Sequence, residues 1–346
     1  MKALVCKHPG EPESLSFEDW PAPTPRDGEV LVALHAAGLN YPDILQVAGT
    51  YQIGSSLPCV FGAEGAGEVL ACGAGVEQFR PGDRVLVLAM GCWAEQVCVP
   101  AAALVRLAEG IDMVSAAAFP VAYNTAWHAL LQRGNLRAGE TLLVHGASGG
   151  VGLAAVQIGK YLGARVIATG SCDDKLERIR RLGADQVINC RTQALREVLY
   201  ELTGGAGVDV VFDPVGGAQM DATLKSLAPF GRLLVIGFTS GQIAQLPSNL
   251  LLLREAVAIG VNIGQWTRRN PAASRQNLVD IQTRIAAGEL APYVARTFDL
   301  VDGAAALRSI LNREVVGKYV LLTELGKLHA NRCLREKTLM HRDRAT

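Results

Sequence analysis

The chain has 346 residues, 49% of them hydrophobic and 19% charged, with 33 Lys and Arg set against 33 Asp and Glu for a formal net charge of zero. That length exceeds what one hydrophobic core usually serves and predicts two domains of an ordinary globular composition. Zero net charge argues against a general nucleic-acid or anionic-membrane binder, and no apolar run is long enough to predict a membrane span.

The N-terminal stretch MKALVCKHPGEPE lacks the apolar core of a signal peptide and reads as a mature start. The eight cysteines form no CxxC pair, and their scatter suits reduced thiols in a cytoplasmic protein. Residues 1–120 carry short strand patterns between turn signals: GEVLVALHAAGLN after Asp27-Gly28, then GAGEVLACGAGV, RPGDRVLVLAM and CWAEQVCVPAAALVRL. Many short strands with Gly and Pro turns predict a barrel-like β domain.

The pattern changes near residue 121. TLLVHGA reads as a buried strand, VGLAAVQIGKYLGA as a helix, RVIATG as a strand, CDDKLERIRRLGA as a helix and DQVINC as a strand. A helix around QALREVLYELTGG, the strand VDVVFDPVG, the helix QMDATLKSLAPFG and the strand RLLVIGF continue the series. This alternation predicts an α/β fold with a doubly wound parallel sheet over 121–260. The helical stretch ASRQNLVDIQTRIAAGEL and the strands ARTFDL and KYVLLTE, within 261–324, are expected to rejoin the first domain. From 325 a basic tail follows; its 327–346 portion carries six Lys and Arg against two Asp and Glu and reads as poorly ordered or partly helical, with a targeting or interaction role left open.

Between TLLVHGA and the next helix lies GASGGVG. A G-x-G-x-x-G frame fits with alanine in the first slot: Ala147, Gly149, Gly152. Following a strand and opening a helix, it reads as a dinucleotide cradle in which Ser148, Gly149, Gly150 and Val151 hold the pyrophosphate. The second strand ends at Gly170, where an NAD site would carry an acid. Ser171 follows, then Lys175 one helical turn on, and Arg191 stands after the third strand. A hydroxyl and two cations suit a 2′-phosphate and point to NADPH, although Lys175 alone would equally serve as a solvated helix position.

One residue resists this reading. In VFGAEGAGEV, Glu64 sits among glycines and alanines, and a buried carboxylate without a partner is costly. It is expected to be paired or hydrogen-bonded, as a structural carboxylate.

The segments AAGLNYPDILQVAGTY, LPCVFGAEGAGEV, VEQFRPGDRV, AAAFPVAYNTAWHAL, HGASGGVGLAAVQIGKYLGA, LGADQVIN and FDPVGG together resemble the medium-chain dehydrogenase/reductase superfamily. Over residues 1–324 the chain is most similar to the zinc-free, zeta-crystallin-like quinone oxidoreductases. The resemblance implies a Rossmann domain, a GroES-like barrel-type catalytic domain and a homodimer formed by strand pairing between nucleotide domains. Where zinc-dependent relatives carry a ligating cysteine and a Gly-His-Glu, this chain has Asn40 and Gly62-Ala63-Glu64, and the closely spaced structural-zinc cysteines are missing, so no metal is expected. Without zinc, alcohol oxidation gives way to reduction of an acceptor already activated by conjugation, a hydride or electrons passing to a quinone or similar conjugated carbonyl. The resemblance puts Asn40 beside the nicotinamide ribose and the acceptor. It matches Tyr51 both to a pocket tyrosine of quinone reductases and to the proton donor of enoyl-thioester reductases, while a half-buried aromatic is the plain alternative. Asp43 is expected to support the NYPDI turn. Thr125, Phe238, Thr239 and Arg313, with Gly317 behind it, match cofactor-contacting positions. Cys190 departs from the tyrosine that supports adenine in bacterial relatives. An enone or enoyl-thioester reductase, and a cofactor-binding protein with a structural or RNA-binding role, are the competing readings.

Overall fold

The structure is a computed structural model and describes residues 1–330. The described residues divide into two compact units, one formed by Met1–Val121 with residues 293–330, the other by Ala122–Pro292.

The first unit is built on a seven-stranded sheet and a smaller three-stranded one. Its central strand, Glu29–Gly38, pairs antiparallel with Gly65–Cys72, with Gln96–Pro100 along its first half and with Lys318–Leu322 at its end. Two register shifts in the pairing with Gly65–Cys72 bend the sheet, as bulges do. Close strand approach there requires Gly67, where a Cβ would stand 2.0 Å from the Ala33 carbonyl oxygen. Leu4, Val30, Leu34, Phe61, Trp93 and Leu321 contribute to one buried cluster within this unit.

The second unit carries a six-stranded sheet, paired parallel throughout, in the spatial order Gln186–Asn189, Arg165–Gly170, Thr141–Val144, Val208–Asp213, Leu227–Val235, Val257–Gly260. Numbered along the chain this is 3-2-1-4-5-6, the doubly wound dinucleotide-binding order, with its reversal beside Thr141–Val144. Leu142, Leu143 and Val144 are fully buried, which is why the strand reads as a continuous apolar run. The helix Asp173–Arg181 opens on two aspartates and closes on three arginines, each matched to the helix dipole.

Two expectations need correction. Residues 261–292, expected with the first domain, belong to the second unit. The helix Pro271–Ala286 buries Ser274 and Asn277, which meet the Asn124 carboxamide at 3.0 Å each, so its buried polar face finds its partners there. The helices Met113–Ala118 and Pro120–Trp127, with a π-helical turn at His128–Arg133, were not legible because nearly every residue over 113–130 is buried, so the run carries no single apolar stripe. The helix expected over QMDATLKSLAPFG stops at Lys225, and Leu227 already begins a strand paired to Val208. At the C-terminus residues 324–330 are helical, and the rest of the basic tail lies outside the described residues.

Candidate functional site

In the first unit, sheet register assembles a buried cluster. Val320 pairs with Gly38 in antiparallel register, which carries Lys318 to the level of Asn40. Gly65 pairs with Ala37, which carries Glu64 to Gly38, whose N–H donates to the Glu64 carbonyl oxygen at 3.2 Å. Glu64 is 0% exposed and Lys318 4%. The Lys318 ammonium donates to Glu64 Oε1 at 2.7 Å, to Asn40 Oδ1 at 2.7 Å and to the Leu39 carbonyl oxygen at 2.6 Å. All three of its protons are used. Glu64 Oε1 also accepts from Asn40 Nδ2 at 2.7 Å, and Oε2 accepts from the Val121 N–H at 2.6 Å. Gly38 is required here, because a Cβ would lie 2.4 Å from both the Ala117 carbonyl oxygen and Glu64 Oε1. Glu64 is therefore paired, as expected, and its partner lies 254 residues away.

Asn40 caps the helix Tyr41–Val47 from an extended backbone (φ −133°, ψ 154°). Its N–H donates to Asp43 Oδ2 at 2.7 Å, so Asp43 supports the turn as expected. Burial pushes the Asp43 carboxyl up to about 7, opposed by that hydrogen bond and by Lys318, and reinforced by Glu64. Tyr51 stands in the loop after the helix, half-buried, its N–H donating to the Leu45 carbonyl oxygen at 3.0 Å. Arg313 lies past the helix Gly303–Leu311 in left-handed backbone (φ 60°), and its side chain is exposed.

A zinc ion does not fit this donor set. Asn40 Oδ1 is committed to an ammonium, Ala63 offers no donor atom, and a catalytic zinc needs three converging ligands. Among the described residues no group of three or more His, Cys, Asp and Glu side chains is arranged to hold a metal.

In the second unit, the strand Thr141–Val144 runs through residues 145–149 into the helix Gly150–Tyr161, with Gly149 as its N-cap. Gly152 is packed against the loop: a Cβ would stand 2.4 Å from the Gly146 carbonyl oxygen. At Gly149 a Cβ would make only an ordinary 3.5 Å contact with the protein, so packing does not require glycine there. A close approach by a ligand would require it, and the helix N-terminus favours an anion. This cradle fits a pyrophosphate. Ser148, Gly150 and Val151 are half-buried beside it.

Gly170 and Asn189 pair at the ends of adjacent parallel strands, so Ser171 and Arg191, both exposed, follow neighbouring strand ends. Asn189 links this rim: it accepts from the Arg191 N–H at 3.0 Å and donates to Asp173 Oδ1 at 2.7 Å. Lys175 is half-buried on the helix that Asp173 begins. Phe238 and Thr239 follow the fifth strand, and Thr239 donates its N–H to the Pro214 carbonyl oxygen at 3.0 Å. Thr125 is buried within the helix Pro120–Trp127.

His145, missed in the sequence, holds the loop in place. It is buried, with Nδ1 2.9 Å from Thr169 Oγ1 and Nε2 2.9 Å from Thr223 Oγ1. Thr223 gives its own proton to the Gln219 carbonyl oxygen, so Nε2 carries the imidazole proton and Nδ1 accepts. Burial lowers its pKa against the field of Asp213, consistent with a neutral ring. The first and second strand ends are thereby tied together. Cys190, half-buried at the third strand end, has its thiol pushed up by burial.

Two family profiles match the chain: one described as alcohol dehydrogenase GroES-like domain over residues 26–109, the other as zinc-binding dehydrogenase over residues 150–278. The quinone oxidoreductase-like protein 2 homolog of Nematostella vectensis is 34% identical over 328 residues, covering 93% of this chain and 89% of that protein. The structure of Escherichia coli quinone oxidoreductase complexed with NADPH superposes with a TM-score of 0.85 at 29% identity, over 93% of this chain and 100% of that one. The structure of JamJ enoyl reductase, in its apo form, gives 0.84 at 27% identity over 93% and 99%. With the parallel 3-2-1-4-5-6 sheet, the glycine cradle and the curled β unit already in place, these likenesses establish that the chain is an oxidoreductase of the quinone oxidoreductase-like branch of the medium-chain dehydrogenase/reductase superfamily.

Proposed function

We propose that the protein is a zinc-independent, NADPH-dependent reductase of quinones or similarly conjugated carbonyls. The observation that carries this is the Asn40–Glu64–Lys318 cluster: Asn40, which with Ala63 stands where the resemblance would expect zinc ligands, has its oxygen committed to Lys318, and Glu64 is paired by the same lysine. Backbone N–H groups of Ser148, Gly149, Gly150 and Val151 would hold the pyrophosphate. Ser171, Lys175 and Arg191 would hold the 2′-phosphate, with Arg313 adding to it, and no acid stands at Gly170 to repel it. Thr125, Phe238 and Thr239 would border the nicotinamide. Bound NADPH supplies the hydride. The Asn40 amide and the Tyr51 hydroxyl would serve the acceptor oxygen, one as a hydrogen-bond donor and the other as a source of the proton that completes the reduction.

The likeness to an enoyl reductase supports a second reading, in which the acceptor is an enone or enoyl-thioester and Tyr51 is the obligatory acid. NADPH oxidation measured over quinones, alkenals and enoyl-thioesters, in the unmodified protein and in Tyr51→Phe, separates the two. With quinones, solvent can protonate the product and the substitution should cost little. With enones, loss of the general acid should cost about 10²–10⁴-fold. No turnover of any class would overturn both readings.

A homodimer is supported by the strand Val257–Gly260, which ends the sheet with one neighbour among the described residues, and by Leu252, Leu253 and Val257, all exposed apolar side chains close to it in sequence. Light scattering of Leu253→Lys/Val257→Lys should report monomers; an unchanged mass would contradict pairing at this edge, as would a monomeric unmodified protein.

A further inference from the structure

A primary carboxamide can turn over end for end, exchanging a donor for an acceptor at the same place in space. For Asn40 the surroundings decide which way it lies. Its oxygen meets the Lys318 ammonium at 2.7 Å and its nitrogen meets Glu64 Oε1 at 2.7 Å. Reversed, the oxygen would face a carboxylate that has nothing to donate, and the NH2 would face an ammonium that cannot accept. Both mismatches would fall in a place almost closed to water, where unpaired polar groups are most costly. The backbone of the same residue is held separately, through its N–H on Asp43 at 2.7 Å.

Stability does not account for the arrangement. A buried ion pair adds little over an apolar pair of the same size.

We infer that Lys318 is a positioning residue for the reaction: with Glu64 it locks the Asn40 carboxamide in one orientation, so that the second amide proton is presented as a fixed donor to the acceptor oxygen as negative charge develops there. The inference rests on the reading of Asn40 as an acceptor-side residue. Lys318 touches neither acceptor nor cofactor in this account and acts only through Asn40. A donor already aligned stabilises charge without reorganising, whereas a carboxamide that must first turn loses part of that advantage.

The test compares unmodified protein, Lys318→Met/Glu64→Gln and Asn40→Ala, together with the triple variant that combines all three substitutions. The paired change keeps side-chain length and leaves no charge unmatched, so it should fold where either single change is strongly destabilised. NADPH affinity is read by fluorescence titration, and kcat and KM with a quinone. In the paired variant kcat should fall about 10–100-fold, less than outright loss of an oxyanion donor commonly costs, with NADPH affinity unchanged. Asn40→Ala should lower kcat strongly in the unmodified background and add little in the paired one, because the carboxamide there is no longer held. An unchanged kcat in the paired variant, or an equal cost of Asn40→Ala in both backgrounds, would overturn the inference. If the unmodified protein turns over no acceptor, the functional reading itself has failed, and the inference falls with it.

Discussion

The two candidate regions handle charge in opposite ways. The glycine loop brings almost none of its own: it offers backbone N–H groups and a helix N-terminus, which suit an anion supplied by a ligand. The cluster around Asn40 contains a full ion pair and a third ionisable group, Asp43, and cancels its charge internally. In the first, the proposed role depends on what is absent, a Cβ at Gly149. In the second it depends on side chains that must all be present together. Damage to the loop should therefore show as lost cofactor affinity, and damage to the cluster as lost stability and turnover.

That contrast can be broken most readily at the ion pair. Glu64→Gln or Lys318→Met leaves one buried charge without its partner and should destabilise the fold by about 3–5 kcal/mol, while the paired change should cost far less. Urea unfolding of the three variants measures this, and equal costs for the single and paired changes would contradict an internally cancelled charge.

Within the loop, two glycines should separate. Gly152→Ala places a Cβ 2.4 Å from the Gly146 carbonyl oxygen and should cost about 1–3 kcal/mol of stability. Gly149→Ala has room and should unfold like the unmodified protein, yet bind NADPH about tenfold more weakly because its Cβ stands where the ligand approaches. Titration and thermal unfolding of both variants would show it. If Gly149→Ala binds NADPH normally, the loop is an ordinary tight turn.

Lys175→Ala should reduce the preference for NADPH over NADH about tenfold, the low end for a charged hydrogen bond at a half-buried site. An unchanged ratio of the two kcat/KM values would return Lys175 to the role of a solvated helix residue.

A further test concerns pH. Burial keeps the Asp43 carboxyl protonated up to about 7, against an ordinary 3.8. Between those values the folded chain holds a proton that the unfolded chain has released. This group's contribution is thus fully present below pH 3.8 and declines as pH rises through about 7. Asp43→Asn should flatten that part of the stability curve, measured as urea midpoints across the window, and an unchanged slope would show that Asp43 does not titrate there.

The same contrast governs what could be read before the fold was known. The cradle lies within one strand, one turn and one helix, so local spacing was enough to find Gly149 and Gly152. The ion pair joins residues 64 and 318 through two strand registers. Glu64 announced a missing partner, and a signal for it existed: Lys318 opens KYVLL, a fully buried strand with no other charge. Nothing local said that these two lone charges belonged together. His145 was hidden for a related reason, since its hydroxyl partners stand on a strand and a helix that only the folded sheet brings near. The return of the chain at Tyr293 rather than 261 was equally tertiary, decided by buried amides that needed Asn124.

Asn40 Oδ1 is committed to the Lys318 ammonium and Ala63 has no donor atom, so a zinc ion does not fit this donor set. Metal analysis of the purified protein, followed by quinone-dependent NADPH oxidation before and after exhaustive chelation, tests the zinc-independent reading most directly. The expected result is no stoichiometric zinc and unchanged turnover. One tightly bound zinc per chain, removed together with the activity, would contradict it.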